Sequence, residues 1–202
     1  MKRLFDFIAA FLGLLVLSPV LLLLYLFVNV KLGSPAVFKQ ERPGLNEKPF
    51  FIYKFRTMTD SRDSLGNLLP DKDRITPFGA FLRRTSSDEL PELVNVLKGE
   101  MSLVGPRPLL MCYLPFYTPS ERVRFSVRPG ITGWAQINGR NVSSWDARLA
   151  HDIWYVANRS FWGDIEILLK TVVKVFVRDG VVVDAGSIMR NLDEERRERI
   201  KA

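Results

Sequence analysis

A long apolar segment lies near the start of the chain. Residues 7–30 contain no charged side chain, and these 24 residues would form roughly 36 Å of helix, enough to cross a ~30 Å hydrocarbon core. Ser18 and Pro19 lie at its midpoint. Proline removes a backbone donor and kinks a helix, which leaves two halves of roughly 18 Å that are each too short to cross alone.

Basic residues flank this segment on both sides, with Lys2 and Arg3 before it and Lys31 and Lys39 after it. Because basic flanks favour the cytoplasmic side, both ends are expected there. A re-entrant hairpin, which enters the bilayer and returns, satisfies both observations. Prolines also occur in true spans, so the residues alone leave the re-entrant and the spanning alternatives open.

After the apolar segment, the pattern changes to an alternation with a period of two. Residues 36–40 and 49–57 are strand-like, and the Pro, Gly and Asn residues between them are typical of a turn, so we predict a β-hairpin over 36–57. The alternation places Lys54 and Arg56 on one face, which is either a solvated face or a paired grip on phosphate.

The rest of the chain has mainly helical patterns. Apolar periodicity or start signals predict helices at residues 78–84, 87–98, 119–126, 144–158 and 164–178. Ser86 and Glu89 have capping-box spacing for the second of these helices. Residues 58–77 and 128–141 are predicted as loops, the latter long and ordered. The fold class is therefore α+β: a small, mostly helical domain with a β-hairpin, preceded by the membrane segment.

The charge balance narrows the classes of partner. Lys and Arg number 29 against 22 Asp and Glu, a formal net charge of +7, which favours phosphates, acidic lipid or nucleic acid as partners. One cysteine and one histidine exclude an intrachain disulfide and a cysteine- or histidine-rich metal site. The sequence also lacks a Walker phosphate loop, a dinucleotide-binding glycine fingerprint and a nucleophile elbow around serine.

Asp88 and Glu89 are the best candidates for chemistry. Acidic residues are common in the first turn of a helix because they complement its dipole, and this structural explanation is the more frequent one. The same position keeps a carboxylate ionised, ready as a nucleophile or a metal ligand, and its neighbour can hold a divalent ion that bridges phosphate oxygens. The oxygen donors favour Mg²⁺. Asp152, in an aromatic stretch, needs a metal, a lysine or an arginine as its partner.

Arginines in rigid settings give a second indication. Arg83 precedes the acidic pair, Arg107 is enclosed by Pro106 and Pro108, and Arg140 lies in a glycine-flanked loop. Each of them alone is more often a surface charge. Together they favour a polyphosphate site, because arginine binds phosphate bidentately.

A series of motifs runs in order through about residues 1–178. They are KRLFDF at 2–7, SP at 18–19, RPG at 42–44, YKFRTM at 53–58, LRRTSSDELPEL at 82–93, NVLKGEMSLVGPRPLL at 95–110 and RPGITGWAQINGRN at 128–141. Each motif alone is weak, but in this order they are very specific. The chain resembles the bacterial sugar transferases of the monotopic phosphoglycosyl transferase family, and its length is similar to that of the minimal members.

The resemblance implies an activity: transfer of a phospho-sugar from a UDP-sugar to polyprenyl (undecaprenyl) phosphate, with release of UMP, Mg²⁺ as cofactor and a covalent intermediate. Asp88 would be the nucleophile, and with Glu89 it would provide the metal site. Other matching positions bind substrate or phosphate in the family: Lys54, Arg83, Pro106, Arg107, Pro108, Arg140 and Asp152. Membrane lipid is a further implied partner, and nucleic acid is not expected.

The resemblance also implies a location, the cytoplasmic face of the bacterial inner membrane, with Ser18 and Pro19 as the break of a re-entrant helix. The implied organisation has three segments: a membrane anchor over 1–33, a catalytic domain over 34–180 and a charged tail over 181–202. Ser87 and Glu92 depart from the usual family residues, and neither is expected to contact the acidic pair.

An alternative remains from the residues themselves. A membrane-tethered basic protein that binds nucleic acid or acidic lipid without catalysis would need only the positive charge. This alternative gives no reason for a carboxylate pair among arginines, nor for the proline-enclosed Arg107.

Overall fold

The protein is described by a computed structural model over residues 1–139, 144–177 and 191–201. Its helices are α1 Lys2–Leu32, α2 Asp71–Arg74, α3 Pro77–Arg84, α4 Glu92–Lys98, α5 Trp134–Gly139, α6 Trp145–Asn158, α7 Phe161–Val177 and α8 Leu192–Lys201. Its strands are β1 Val37–Pro43, β2 Pro49–Phe55, β3 Ser102–Val104 and β4 Gly130–Thr132. Short 3₁₀ turns cover Leu45–Glu47, Ser87–Glu89, Met111–Phe116 and Glu121–Ser126. The prediction of a mostly helical α+β fold is confirmed.

The predicted β-hairpin is present. β1 and β2 pair in antiparallel register, with Lys39 opposite Tyr53. Phe50 and Ile52 of β2 are buried, as is Phe55 at its end, so the hairpin contributes to two of the hydrophobic clusters. Burial of these side chains fixes the register, because a slip by one residue would expose them.

The predicted loop over 128–141 is wrong in part. β4 lies parallel to β3, and α5 follows it. The two backbone segments approach so closely that a Cβ on Gly130 would lie 2.1 Å from the amide nitrogen of Gly105. Only glycine permits this contact, and the glycines that suggested a loop are here the requirement for a short strand pair.

Residues 58–77 also contain more structure than a loop. Isolated bridges join Met58 to Ile75 and Arg62 to Leu68, and α2 lies in the chain between Leu68 and Ile75. The segment has no apolar periodicity of its own, so its sequence pattern gave no sign of this pairing.

The predicted helix over 87–98 begins later than expected. Ser86 adopts a left-handed conformation with φ 53° and makes no capping hydrogen bond, so the predicted capping box is wrong. Asp88 and Glu89 lie in a separate 3₁₀ turn, and α4 starts at Glu92. Gly99 ends α4 with φ 82°, as its position predicted.

One continuous helix, α1, includes Ser18 and Pro19, so the predicted helix–break–helix is not confirmed. By length and composition it is the one helix in the described ranges that is able to cross a membrane. Only 6% of its most apolar window is buried. Because most of these side chains face outward, α1 provides a large apolar surface.

Both ends of α1 contact the rest of the protein. Near its start, Arg3 donates to the carbonyls of Val96 and Leu97 at 2.6 and 2.9 Å, at the C-terminal end of α4, where a cation is favoured. Near its end, Val28 and Leu32 are buried in a cluster that includes Phe55 and Leu82. The side chains between these contacts are mostly exposed, including Leu15, Val16, Leu22 and Leu23.

The last two helices differ in what they cover. α7 packs Ile167 into the interior but leaves Leu169, Val172 and Val173 exposed, so only part of its apolar surface belongs to the core. α8 lies within the part of the chain that we predict as a charged tail. Its Leu192 is fully buried in a cluster with Leu109, Tyr113 and Trp145.

Candidate active site

Four elements meet around the acidic pair. β2 supplies Lys54, α3 supplies Arg83, the 3₁₀ turn Ser87–Glu89 supplies both carboxylates, and the bend after β3 supplies Arg107. The left-handed Ser86 reverses the chain between α3 and this turn. This reversal brings the carboxylates next to the basic side chains.

Glu89 is the centre of an ion-pair network. Lys54 Nζ lies 2.6 Å from Glu89 Oε1. Arg107 holds both carboxylate oxygens: its Nη1 lies 3.3 Å from Oε2, and its Nη2 contacts Oε1 directly. Burial alone would raise the pKa of Glu89, but the charges and hydrogen bonds of Arg107 and Lys54 outweigh it and hold that pKa well below its usual value. Glu89 is therefore ionised throughout the physiological range.

Asp88 has a different environment. Among the residues that the structure describes, its partly buried carboxylate has no hydrogen-bond or ion-pair partner. Burial, followed by the charge of Glu89, raises the pKa of Asp88 to about 6, against the opposing charges of Lys54, Arg107 and Arg83. The helix dipole that we expected to keep Asp88 ionised does not act on it, because α4 begins four residues later. At neutral pH the group is still about nine-tenths ionised.

Glu92 is a third carboxylate at the same place, which the sequence analysis did not expect. Its Oε1 lies 3.1 Å from Lys54 Nζ and makes no geometrically satisfactory hydrogen bond, although the residue is only 1% exposed. Burial and then the charge of Glu89 raise the pKa of Glu92 to about 7. The spacing of three between Glu89 and Glu92 is the signal that could have indicated it.

The backbone of Arg107 is held in place by its neighbours in the sequence and by Arg124. Pro106 and Pro108 enclose it and are both buried. Its carbonyl accepts a hydrogen bond of 2.7 Å from Arg124 Nη2, and the same Nη2 lies 2.8 Å from Asp152 Oδ2. The predicted partner of Asp152 is thus an arginine, Arg124, and the described contacts do not bring Asp152 to the acidic pair.

The remaining predicted basic residues have different outcomes. Arg83 Nε donates to Thr57 Oγ1 at 3.1 Å, and its charge acts on Asp88. Arg56 forms an ion pair of 2.7 Å with the exposed Asp60, whereas Lys54 contacts Glu89, and the paired grip of Lys54 and Arg56 on phosphate stays one of the two interpretations of this face. Arg140 lies outside the described residues.

The arrangement suits chemistry on phosphate. The partly buried carboxylate of Asp88, which has no partner within the described ranges, lies next to Glu89, and Glu89 holds the cations of Lys54 and Arg107. A nucleophile so placed can attack a phosphorus atom while the cations neutralise the developing charge, which is the main requirement of phosphoryl transfer.

Comparison with known proteins gives a family. A family model described as "Bacterial sugar transferase" matches residues 1–178. An uncharacterized sugar transferase, EpsL, of Bacillus subtilis strain 168 is 58% identical over 181 residues, which cover 90% of each chain.

Relatives with named activities are similar over most of this chain. The undecaprenyl-phosphate galactose phosphotransferase of Salmonella typhimurium is 42% identical over 198 residues, 89% of this chain and 41% of that protein. The UDP-glucose:undecaprenyl-phosphate glucose-1-phosphate transferase of Caulobacter vibrioides is 40% identical over 188 residues, 88% of this chain and 70% of its own. The chain thus spans less than half the length of some relatives.

Proposed function

The chain belongs to the bacterial sugar transferase family, and from this we propose that it transfers a sugar phosphate from a UDP-sugar to undecaprenyl phosphate, with release of UMP. The names of the Salmonella and Caulobacter relatives support the lipid acceptor. The observation that carries the proposal is the Asp88 carboxylate, which has no hydrogen-bond or ion-pair partner among the described residues and directly precedes Glu89, the residue that contacts Lys54 and Arg107.

In the proposed reaction, an Asp88 oxygen attacks the phosphorus next to the sugar. A bond forms between that oxygen and phosphorus, and the bond from phosphorus to the bridging oxygen breaks, so UMP leaves with the electron pair. A phosphate oxygen of undecaprenyl phosphate then attacks the same phosphorus and releases the Asp88 carboxylate. Both nucleophiles are anions, so no step requires a general base, and covalent catalysis of this type gives ping-pong kinetics.

Lys54 and Arg107 have a shared role in this scheme. Glu89 holds both cations beside Asp88, which keeps them in place before substrate binds. Preorganised charge is more effective than charge that must rearrange during the reaction. Arg83 adds a third cation from α3.

A magnesium ion suits the donor set. Mg²⁺ is usually held by one or two carboxylates together with phosphate oxygens and water. The free oxygens of Asp88 fit this pattern, whereas Glu89 would have to share its carboxylate with Lys54 or Arg107. Asp88 and Glu89 would hold the ion, which would neutralise negative charge on the phosphates.

We further propose that α1 is re-entrant and that the enzyme lies on the cytoplasmic face of the membrane. A helix that crosses the bilayer has its ends on opposite surfaces. In this protein, Arg3 and Asp6 at the start of α1 and Leu32 at its end all contact one domain. The basic residues Lys2 and Lys31 at both ends support the cytoplasmic side.

The deciding experiment measures UMP from the full chain in detergent or nanodiscs with a panel of UDP-sugars and Mg²⁺. With undecaprenyl phosphate we expect turnover that EDTA abolishes. Without the acceptor we expect a burst of UMP equal to the enzyme concentration, with phospho-sugar retained on the protein. Turnover without such a burst would contradict the covalent step, and no UMP with any UDP-sugar would contradict the activity. Binding of nucleic acid without UMP release would instead support the non-catalytic alternative.

A further inference from the structure

A cavity of about 380 Å³ lies at the corner between α6 and α7. Its lining includes three of the four tryptophans of the chain, Trp134, Trp154 and Trp162. The rings of Trp134 and Trp154 are stacked with their centroids 4.2 Å apart, which fixes the orientation of this wall. Trp154 and Trp162 are nevertheless 46% and 78% exposed. A preformed cavity with aromatic walls and a few polar groups is typical of a ligand site.

The charge at this cavity is positive. Arg159, in the connection between α6 and α7, lines the cavity and is exposed. It makes no hydrogen bond or ion pair with the residues that the structure describes. The acidic residue of the lining is Glu166, which Lys170 binds at 2.5 Å. The cavity therefore offers a guanidinium group to an anion, and guanidinium groups bind phosphate bidentately.

The cavity adjoins the start of α1. Trp162 of the lining contacts Phe161, with ring centroids 5.7 Å apart, and Phe161 contacts Phe5 of α1 edge to face at 5.5 Å. In the same turn of α7, Asp164 Oδ2 lies 2.5 Å from Lys2 Nζ. The first turn of α7 is thus fixed to the point where the long apolar helix begins.

These contacts place the cavity relative to the membrane. Under the placement proposed above, both ends of α1 lie at the cytoplasmic surface of the bilayer, and the first turn of α7 lies there with them. Tryptophan is enriched at that depth, because its ring is apolar and its N–H group is polar. Leu4 and Phe7 at the start of α1 are also exposed, so exposed apolar side chains run from α1 to this corner.

We propose that the cavity binds the headgroup of an anionic membrane lipid, with Arg159 on its phosphate and Trp154 and Trp162 against the apolar part next to it. The proposal goes beyond the transfer reaction and rests on the proposed membrane placement of α1. Basic cavities on the cytoplasmic side of membrane proteins bind such headgroups. Because Arg159 is the charge without a described partner at the cavity, an anionic headgroup is favoured over a zwitterionic one. None of the lining residues has a part in the proposed reaction.

The test measures melting temperatures of the full chain in detergent with increasing dihexanoyl phosphatidylglycerol, which is anionic, or dihexanoyl phosphatidylcholine, which is zwitterionic. Arg159→Gln should weaken the Kd for phosphatidylglycerol at least about tenfold, because a charge-assisted hydrogen-bonded pair is lost. The Kd for phosphatidylcholine should change little. Arg62→Gln is the matched control, because Arg62 is also exposed and donates to the carbonyl of Gly66. All three proteins should melt at the same temperature without lipid.

Trp162→Ser tests the aromatic wall. Since most of the Trp162 side chain is exposed, this variant should fold as the wild type does. It should weaken the binding of both lipids, because apolar contact with either of them is lost. The arginine variant should thus discriminate between the two headgroups, and the tryptophan variant should not.

Equal affinity of the wild type and Arg159→Gln for phosphatidylglycerol, or no binding of this lipid by the wild type, would overturn the inference. Equal weakening of both lipids by Arg159→Gln would also overturn it, because the charge would then play no part. Weaker binding of UDP or of farnesyl phosphate by Arg159→Gln would assign the cavity to a substrate instead. Wild-type protein that binds phosphatidylglycerol but releases no UMP would contradict the proposed function alone.

Discussion

At the scale of single residues, adjacent carboxyl groups have opposite electrostatic environments. Glu89 is held by Lys54 and Arg107, whereas Asp88 is partly buried and has no direct partner in the described part of the chain. A carboxylate engaged by two cations is a poor nucleophile, because its electron pairs are committed. Under the proposed function the reactive carboxylate is therefore that of Asp88, and its neighbour keeps the cations close to it.

Asp88→Asn should lower turnover below about 0.1% of the wild-type rate, because the nucleophile is lost. The measurement is steady-state UMP release, together with mass spectrometry of the protein after incubation with UDP-sugar. Asp60→Asn is a suitable control, since Asp60 is exposed and pairs only with Arg56. A phospho-sugar adduct that persists on the Asp88→Asn protein would remove Asp88 from its role.

The pKa of Asp88 predicts a pH dependence of stability. Its value of about 6 in the folded protein exceeds the ordinary value of 3.8, so folding favours the protonated form. Its stabilising contribution is therefore complete below about pH 4 and is lost as the pH rises through 6. Relative to the wild type, Asp88→Asn should gain melting temperature between pH 4.5 and pH 7.5. A constant difference across this range would argue against the raised pKa.

The same carboxyl should control the rate. Because the ionised form attacks, wild-type activity should rise with pH around 6 and then level off, as seen in initial rates of UMP release under substrate-limited conditions. A rate that falls over this interval would indicate that another group limits the reaction.

Glu89→Gln should reduce both activity and stability. It leaves Lys54 and Arg107 without their shared anion, a loss of about 3 kcal/mol for a broken buried network. Chemical denaturation and UMP release measure the two effects. Glu47→Gln is the control, because it also removes the acidic partner of an arginine, Arg122, but Glu47 is more exposed than Glu89. Full activity with unchanged Mg²⁺ dependence would contradict the role of Glu89.

The residue types at the site could be predicted from sequence, but their pairing could not. The distinctive motifs of the sequence contain four of these residues: Lys54, Asp88, Glu89 and Arg107. Glu92 reads as an ordinary residue near the start of a helix, and only the fold shows that it shares Lys54 with Glu89.

At the scale of elements, a buried ion pair connects α6 to the 3₁₀ turn Glu121–Ser126, and this turn in turn holds the bend after β3. The side chains of Arg124 and Asp152 are only 2% and 4% exposed. Arg124 also binds the carbonyl of Arg107 and the hydroxyl of Tyr117. Asp152 thus reaches the site through Arg124, as a positioning residue.

Asp152→Ala should destabilise the protein by about 3 kcal/mol or more, because it leaves Arg124 buried without its anion. Asp152→Asn keeps an acceptor oxygen and should cost less. Thermal unfolding and kcat for UMP release check both variants, and Glu166→Ala, which removes the exposed partner of Lys170 on α7, is the control. Equal effects of the Ala and Asn variants would show that the hydrogen-bonding oxygen is irrelevant.

Elements with a long periodic pattern were predictable, as α6 and α7 show. The pairing of β3 with β4 was not, because three-residue strands contain too few positions for a pattern. Close contact between Gly105 and Gly130 determines it instead, and this contact joins residues far apart in sequence.

At the scale of the whole molecule, α1 determines the relation to the membrane. The apolar segment and its central proline were visible in the sequence, but the alternatives of crossing and returning were not separable there. The contacts of both helix ends with one domain are long-range and become visible only in the fold.

Labelling from the periplasm tests the orientation of α1. In a Cys112→Ser background, needed because Cys112 is exposed, a cysteine inserted directly after Met1 or placed at Ser34 should resist an impermeant maleimide in intact cells and react after permeabilisation. Pro19→Leu should increase periplasmic labelling at one end by favouring a straight span. Strong labelling of the cysteine inserted after Met1, without the Pro19 change, would contradict the re-entrant proposal.

The final helix has a consequence for the loop that carries Arg107. Leu192 packs in one hydrophobic cluster with Leu109, the residue after Pro108. Arg196 forms ion pairs with Glu121 of the 3₁₀ turn Glu121–Ser126 and with Asp146 of α6. α8 therefore packs behind the loop that carries Arg107 and stabilises its position. Under the proposed function, loosening α8 would leave Asp88 in place but weaken the positioning of Arg107, so this distant helix would affect how tightly the enzyme holds its phosphate-containing substrate.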